Sequence, residues 1–181
     1  MSVVTKTGDR GWTGMLFGAR VRKDDLRVHA VGTLDELNSF LGLARCVVRR
    51  RRVKRVILAV QRDLFIVSSE LITLPRDLGR LEFRVDEKRV KRLEAEIERL
   101  EKSLKLEECC FLIPGEDKSS ALLDICRSVA RRAERLAATL RRRGGVPNRS
   151  VMLYLNRLSD LLYLLARAEE QRHRAFVAGE K

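Results

Sequence analysis

Near the N-terminus, Thr5 to Gly18 combines glycines with hydroxyls and cations. Gly8, Gly11 and Gly14 alternate with Thr5, Lys6, Thr7, Arg10 and Thr13. Glycines let backbone N–H groups converge on an anion with no Cβ in the way, and hydroxyls and ammonium groups complete such a nest. The spacing has no helical period and makes a poor strand. It is not a Walker A loop, because GxxxxGK[ST] does not occur in it. The same composition also suits a plain cluster of turns, and this stretch alone leaves both readings open. A second candidate is the set Arg127, Arg131, Glu134 and Arg135, which falls at i, i+4, i+7 and i+8 and so shares one helix face. Cations this close repel unless an anion or carboxylate sits among them; a solvated basic face is the plain alternative. A third is the stripe Asn156, Asp160, Tyr163 and Arg167 at i, i+4, i+7 and i+11, with Asp35 and Asn38 similarly placed upstream. Such stripes can meet across a subunit boundary, where a carboxylate would hold a guanidinium in a charge-assisted pair.

Helices must position these groups. Apolar residues recurring every three or four positions predict helices over 34–52, 53–74, 86–106, 119–142 and 149–172. Thr33 with Glu36 reads as a capping box for the first, and a short extended piece is expected near Val28–Val31. Pro75 stops the second helix, and residues 76–84 read as a linker. The third helix is charged on all but one face and therefore peripheral. A short apolar run, Cys109 to Ile113, ends in Pro114-Gly115, and Gly144, Gly145 and Pro147 break the chain after the fourth helix. The fourth should bury Leu122, Ile125, Cys126, Val129, Ala133, Leu136 and Leu140. The expected fold is all-α: a five-helix bundle with an irregular N-terminal loop, in one domain spanning 1–181 (loop region 1–31, bundle 32–173, tail 174–181).

The chain has 181 residues, enough for one proper core, and 45% are apolar but only 5% aromatic, which suits a core of Leu, Val, Ile and Ala. The net charge of +13 implies anionic partners: nucleotide, nucleic acid or a membrane surface. No apolar run approaches the ~20 residues that cross a bilayer, and Lys6 and Arg10 lead into glycines, not into a signal core. Cys46, Cys109, Cys110 and Cys126 form no CxxC pair and read as buried free thiols in a reducing compartment, so a soluble cytoplasmic protein is expected. A di-iron bundle needs ExxH on two helices; only Glu170–His173 fits, and His29 and His173 read as surface residues. Nucleic-acid binding is the main rival, through Arg49–Arg52 and Arg141–Arg143, yet these runs lack interleaved aromatics and sit at helix ends, where cations favour the dipole. The reading adopted has no nucleic-acid and no membrane partner.

Taken together, TKTGDRG, KDDLRVHAVGTLDELNSFLGLAR, FLIPG at Phe111–Gly115, RSVARRAER at Arg127–Arg135 and YLNRLSDLLYLLAR at Tyr154–Arg167 resemble the PduO-type corrinoid adenosyltransferases. The resemblance covers nearly the whole chain, in order. It implies a homotrimer of five-helix bundles with active sites between subunits. It also implies transfer of the 5′-deoxyadenosyl group of ATP to the cobalt of cob(I)alamin, with Mg²⁺ carried on the ATP phosphates and its protein ligands left unspecified. Carried over by motif, ATP contacts fall on Thr5, Lys6, Thr7, Gly8, Thr13, Gly14, Lys23, Arg131, Arg132, Ala133, Glu134, Arg135 and Asn156. The resemblance pairs Asp35 with Arg127 across the interface, makes Phe111 the wedge that displaces cobalt's lower ligand, and extends the corrinoid surface through Leu112 and Ile113. Arg131, Asn156 and Phe111 would carry the chemistry. A flavoprotein reductase would supply electrons, and a cobalamin-dependent mutase is a possible recipient of product. Glu116 and Trp12 depart from the family pattern, so the corrin-side loop and the mouth of the nucleotide loop are expected to differ in shape. A non-catalytic nucleotide sensor of the same build is the alternative.

Overall fold

The computed structural model describes residues 4, 6–104 and 112–170. Two short strands come first, β1 (Trp12–Gly14) and β2 (Arg20–Arg22), antiparallel, with Trp12 opposite Arg22 and Gly14 opposite Arg20. Thus part of the stretch read as a poor strand is one. A hairpin needs only three paired residues on each side, and Gly18, at φ +88°, closes its turn. Among the described residues, five α-helices follow: α1 (Leu26–Val47), α2 (Arg51–Ile72), α3 (Glu87–Leu104), α4 (Lys118–Arg142) and α5 (Arg149–Glu169). The expected all-α architecture and helix order hold.

The helix ends differ, for local reasons. α1 starts at Leu26, not at 34, because Asp25 is the cap: its carboxylate accepts the Arg27 N–H at 2.8 Å. Val28–Val31 is therefore helical, and the loop region ends at residue 25. Thr33 lies inside the helix, its hydroxyl donating to the His29 carbonyl at 2.9 Å. α1 ends at Val47, five residues before the expected end, and α2 begins at Arg51. Between them the Glu169 carboxylate, from the far end of α5, accepts the N–H groups of Arg49 (2.8 Å) and Arg50 (3.2 Å). A carboxylate at a helix start satisfies free N–H groups and favours the positive end of the dipole. α2 ends at Ile72, and a 3-10 turn follows over Pro75–Arg80.

α4 packs between α1 and α5, and α3 rests chiefly on α5. Because α4 is covered on two sides, its inward face is lined with small residues: Ala130, Ala133 and Ala137 are fully buried, whereas Ile125, expected in the core, is 43% exposed. α5 is the central helix. Leu155, Leu158, Leu161, Leu162 and Leu165 are all buried, and so is Arg167, whose guanidinium pairs with Asp124 and Glu170. Cys126 is a buried thiol whose pKa burial pushes up to about 12, as expected of an inert core cysteine, but Cys46 is exposed. Cys109, Cys110, His173 and the tail lie outside the described residues; His29 is exposed, as expected.

Candidate active site

The N-terminal loop folds back on itself through its own backbone. The Gly11 N–H donates to the Gly8 carbonyl at 3.2 Å, and the Lys23 N–H donates to the Gly11 carbonyl at 2.9 Å. Gly11, at φ +78°, makes the turn. Arg20 Nη2 donates to the Thr7 carbonyl at 2.6 Å. A Cβ placed on Gly8 would come within 3.2 Å of Lys23 Nζ, so the ammonium lies directly against the glycine backbone. The loop therefore brings together Thr7, Gly8 and Lys23, as the motif reading required. Lys6 is beside them at φ +55°, and Thr5 lies outside the described residues. Arg20 was not singled out in the sequence; its one signal was its position just ahead of the KDD run.

Thr13 and Gly14 of β1 face a cavity of about 400 Å³ that α1 and α2 complete with Asp35, Asn38 and Phe65. Asn38 Oδ1 is buried there without a hydrogen-bond partner. The N-terminal segment is anchored by Arg27, 7% exposed, whose guanidinium donates to the carbonyls of Leu71 (2.7 Å), Thr73 (3.1 Å) and Gly145 (3.0 Å). Burial lowers the pKa of Arg27 from its ordinary value, against the pull of Asp25. At Gly145 a Cβ would lie 2.8 Å from the Leu140 side chain and 2.9 Å from Arg27 Nη2, so both would have to shift to admit one.

On the opposite flank of α1, the RRAER run of α4 divides by face. Ala133 is in the core. Arg132 reaches across to an ion pair with Glu36 of α1. Glu134 turns to α5, where its carboxylate accepts the Asn156 amide at 3.0 Å; Asn156 Oδ1 in turn accepts from Arg157 at 2.7 Å, and Arg157 also bonds Glu94 at 3.2 Å. Asp160 sits in the same field. Its pKa is raised by burial, lowered by Arg157, raised by Glu134 and lowered by Arg131, with a net rise. Arg131, Glu134, Asn156 and Asp160 thus form one polar patch at the α4–α5 seam. Tyr163 and Arg167, read as part of the same stripe, continue inward instead, with the Arg167 guanidinium 5.2 Å from the Tyr163 ring centre.

Arg127 and Arg135 do not join that patch. They line a groove of about 460 Å³ with Arg132, Pro114, Gly115 and the exposed Ile125. Ile113 is 45% exposed beside this loop, Leu112 is half-buried, and Gly115 takes φ +110°. Phe111 lies outside the described residues. Arg127 Nε bonds Asp124 at 3.2 Å, and Asp35 and Arg127 line separate cavities of the chain. Glu116 is exposed beyond the turn, and Trp12 pairs with Arg22 in the hairpin at the cavity's edge.

The sequence pattern of the family described as cobalamin adenosyltransferase matches residues 3–169. A corrinoid adenosyltransferase from Citrobacter freundii is 38% identical over 169 residues, covering 93% of this chain and 94% of that protein. The corrinoid adenosyltransferase PduO of Salmonella typhimurium is 37% identical over 94% of this chain, which spans 50% of that longer protein. Among solved structures, a variant PduO-type ATP:corrinoid adenosyltransferase from Lactobacillus reuteri, complexed with cobalamin and ATP, superposes with a TM-score of 0.88 at 28% identity, over 98% of this chain and 97% of that one. With the loop, the α4–α5 patch and the match over residues 3–169 all in place, this chain belongs to the cobalamin adenosyltransferase family.

Proposed function

We propose that this chain transfers the 5′-deoxyadenosyl group of ATP to cob(I)alamin, giving adenosylcobalamin and triphosphate. The Co(I) lone pair attacks C5′ of the ribose, the C5′–O bond breaks, and its electron pair leaves with triphosphate while cobalt ends as Co(III). No proton needs to move. What the protein must supply is positive charge where the leaving group develops its own. The observation that carries this reading is the seating of Lys23 against the Gly8 backbone in a closed, hydroxyl-rich loop.

In this reading Thr5, Lys6, Thr7, Gly8 and Lys23 hold the triphosphate with Arg131 and Arg135, whose forks match phosphate oxygens. Thr13, Gly14, Glu134 and Asn156 orient the nucleoside. Mg²⁺ neutralises phosphate charge. It would travel on ATP, since this ion is commonly held by phosphates plus one or two carboxylates. Glu134 and Asp160 are the carboxylates of the polar patch.

The active chain is a homotrimer with its sites between subunits. Within the chain Arg127 pairs with Asp124 and not with Asp35, which suits a pairing made between two chains. Exposed apolar side chains on three helices, Leu43, Val47, Phe65 and Ile125, support such assembly. Ile113 and Ile125 offer an apolar wall for the corrin, with Leu112 behind and Phe111 as the wedge that removes cobalt's lower ligand. A flavoprotein reductase supplies Co(I), a mutase receives the product, and the cytoplasm is the compartment. No described helix is long and apolar enough to cross a membrane.

The deciding experiment mixes purified protein, ATP, Mg²⁺ and chemically reduced cobalamin without oxygen and follows cob(I)alamin absorbance. Conversion to light-sensitive adenosylcobalamin with release of triphosphate is the expected result. ATP binding without conversion would overturn the enzyme reading in favour of a nucleotide sensor.

A further inference from the structure

A slot of about 340 Å³ opens between α2 and α3, away from every residue assigned above to nucleotide or corrinoid. It exists because α3 rests on α5, leaving the gap to α2 to be bridged by long side chains. Two ionic clusters span it. Glu96 of α3 takes hydrogen bonds from Arg52 (2.6 Å) and Arg99 (2.7 Å), and Asp63 of α2 pairs with Arg92 and Arg89 while accepting the Tyr154 hydroxyl at 3.0 Å. The floor is apolar: Val56, Ala59, Val60, Leu93 and Leu161.

The charges on the wall do not cancel. Arg52, Arg55 and Arg92 of the lining face Asp63 and Glu96, and Arg89 and Arg99 pair with the same two carboxylates, so the wall is positively charged overall. Among the described residues Arg55 forms no ion pair, whereas Arg52 and Arg92 do. The volume is at the lower end of the ~300–1,000 Å³ of ligand sites, which are typically apolar with a few placed polar groups.

We propose that this slot binds a small monocarboxylate with an apolar body. The carboxylate matches the planar fork of Arg55, which no carboxylate of the wall engages, and the hydrocarbon covers the aliphatic floor. Inorganic phosphate would leave the apolar floor wet. A neutral alcohol would leave Arg55 without a counter-charge. The proposal is independent of the adenosyltransferase reading.

The test is calorimetric titration of the full chain with hexanoate, alongside thermal unfolding. Saturable binding of one hexanoate per chain is expected, with Tm rising by about 3 °C at ten times Kd. Arg55→Glu, a change at an exposed position, should weaken binding about ten-fold or more by reversing the charge at the mouth. Ala59→Leu, which fills the floor with a good helix former, should abolish it while Tm without ligand stays near wild type. Hexan-1-ol and phosphate at matched ionic strength should give no saturable signal. The proposal is overturned by absence of hexanoate binding to the wild-type chain, by undiminished affinity in a folded Ala59→Leu or Arg55→Glu variant, or by an equal response to phosphate.

Discussion

Arg131 and Arg27 carry the same guanidinium to different ends. Arg131 is exposed, in a patch with Glu134, Asn156 and Asp160, and is free to meet an incoming anion. Removing one donor to developing charge costs about 3–4 kcal/mol in the transition state, so Arg131→Ala should lower kcat/KM for ATP roughly 100- to 1,000-fold while leaving unfolding unchanged. Steady-state kinetics beside a denaturation curve checks both; unchanged kinetics would remove Arg131 from the site. Arg27 is buried, and its partners are three backbone carbonyls. Arg27→Ala should instead destabilise the fold by roughly 3 kcal/mol, because each abandoned carbonyl costs about 1–3 kcal/mol and the three are not additive. Urea unfolding would show it, and Arg27→Lys, keeping the charge but not the fork, should fall between. The sequence offered no way to rank these two arginines. Both lie in recognisable motifs, and only the end of α2 and the turn after α4 reveal that one of them is a tie.

At the scale of the element, α3 is attached by charge as much as by packing. Its Val90, Leu93 and Leu100 bury one stripe, while Glu96 locks to Arg52 of α2. Burial alone would raise the Glu96 carboxyl, but hydrogen bonds from Arg52 and Arg99 outweigh it and hold the group at about 2, below the ordinary 4.5. A folded-state pKa below the unfolded one means the pair contributes fully above pH ~4.5 and loses that contribution as the pH falls toward 2. Hydrogen exchange should therefore show α3 amides opening ahead of those of α5 over that acid range, and Glu96→Gln should flatten the difference. The helices themselves were legible, because leucines at three- and four-residue spacing can face only one way. Their ends were not. Thr33 has the chemistry of a cap and so does Asp25, and the choice falls to Asp25 because Leu26 and Ala30 extend the apolar face by about two more turns. The exposure of Ile125 was equally hidden: it depends on α4 being covered by α1 and α5 at once, which no single helix records.

For the whole molecule, a net charge of +13 bears on the proposed association of identical chains. Self-repulsion opposes assembly unless each contact also brings opposite charges together. Asp35 on α1 and Arg127 on α4 supply one such meeting in the proposed trimer. Asp35→Asn should weaken association about ten-fold, with a stronger salt dependence than the wild type, as read by sedimentation across a concentration series. A variant that stays trimeric and fully active would count against the pair. Proximity of Thr7, Gly8 and Lys23 was legible from motifs alone. The division of the RRAER run between α1, the core and α5 was not, since it follows from where the neighbouring helices pass.

The carboxylate of Glu169 on the Arg49 and Arg50 amides has a consequence for biosynthesis. Chains emerge from the ribosome N-terminus first, and local structure begins before the rest is made. The start of α2 is among the early segments, but the carboxylate that takes the two amides just ahead of it is built 120 residues later. Until then those two amides have water in place of the carboxylate. A chain cut just short of residue 169 would therefore carry five helical sequences and still leave the α1–α2 corner without that latch.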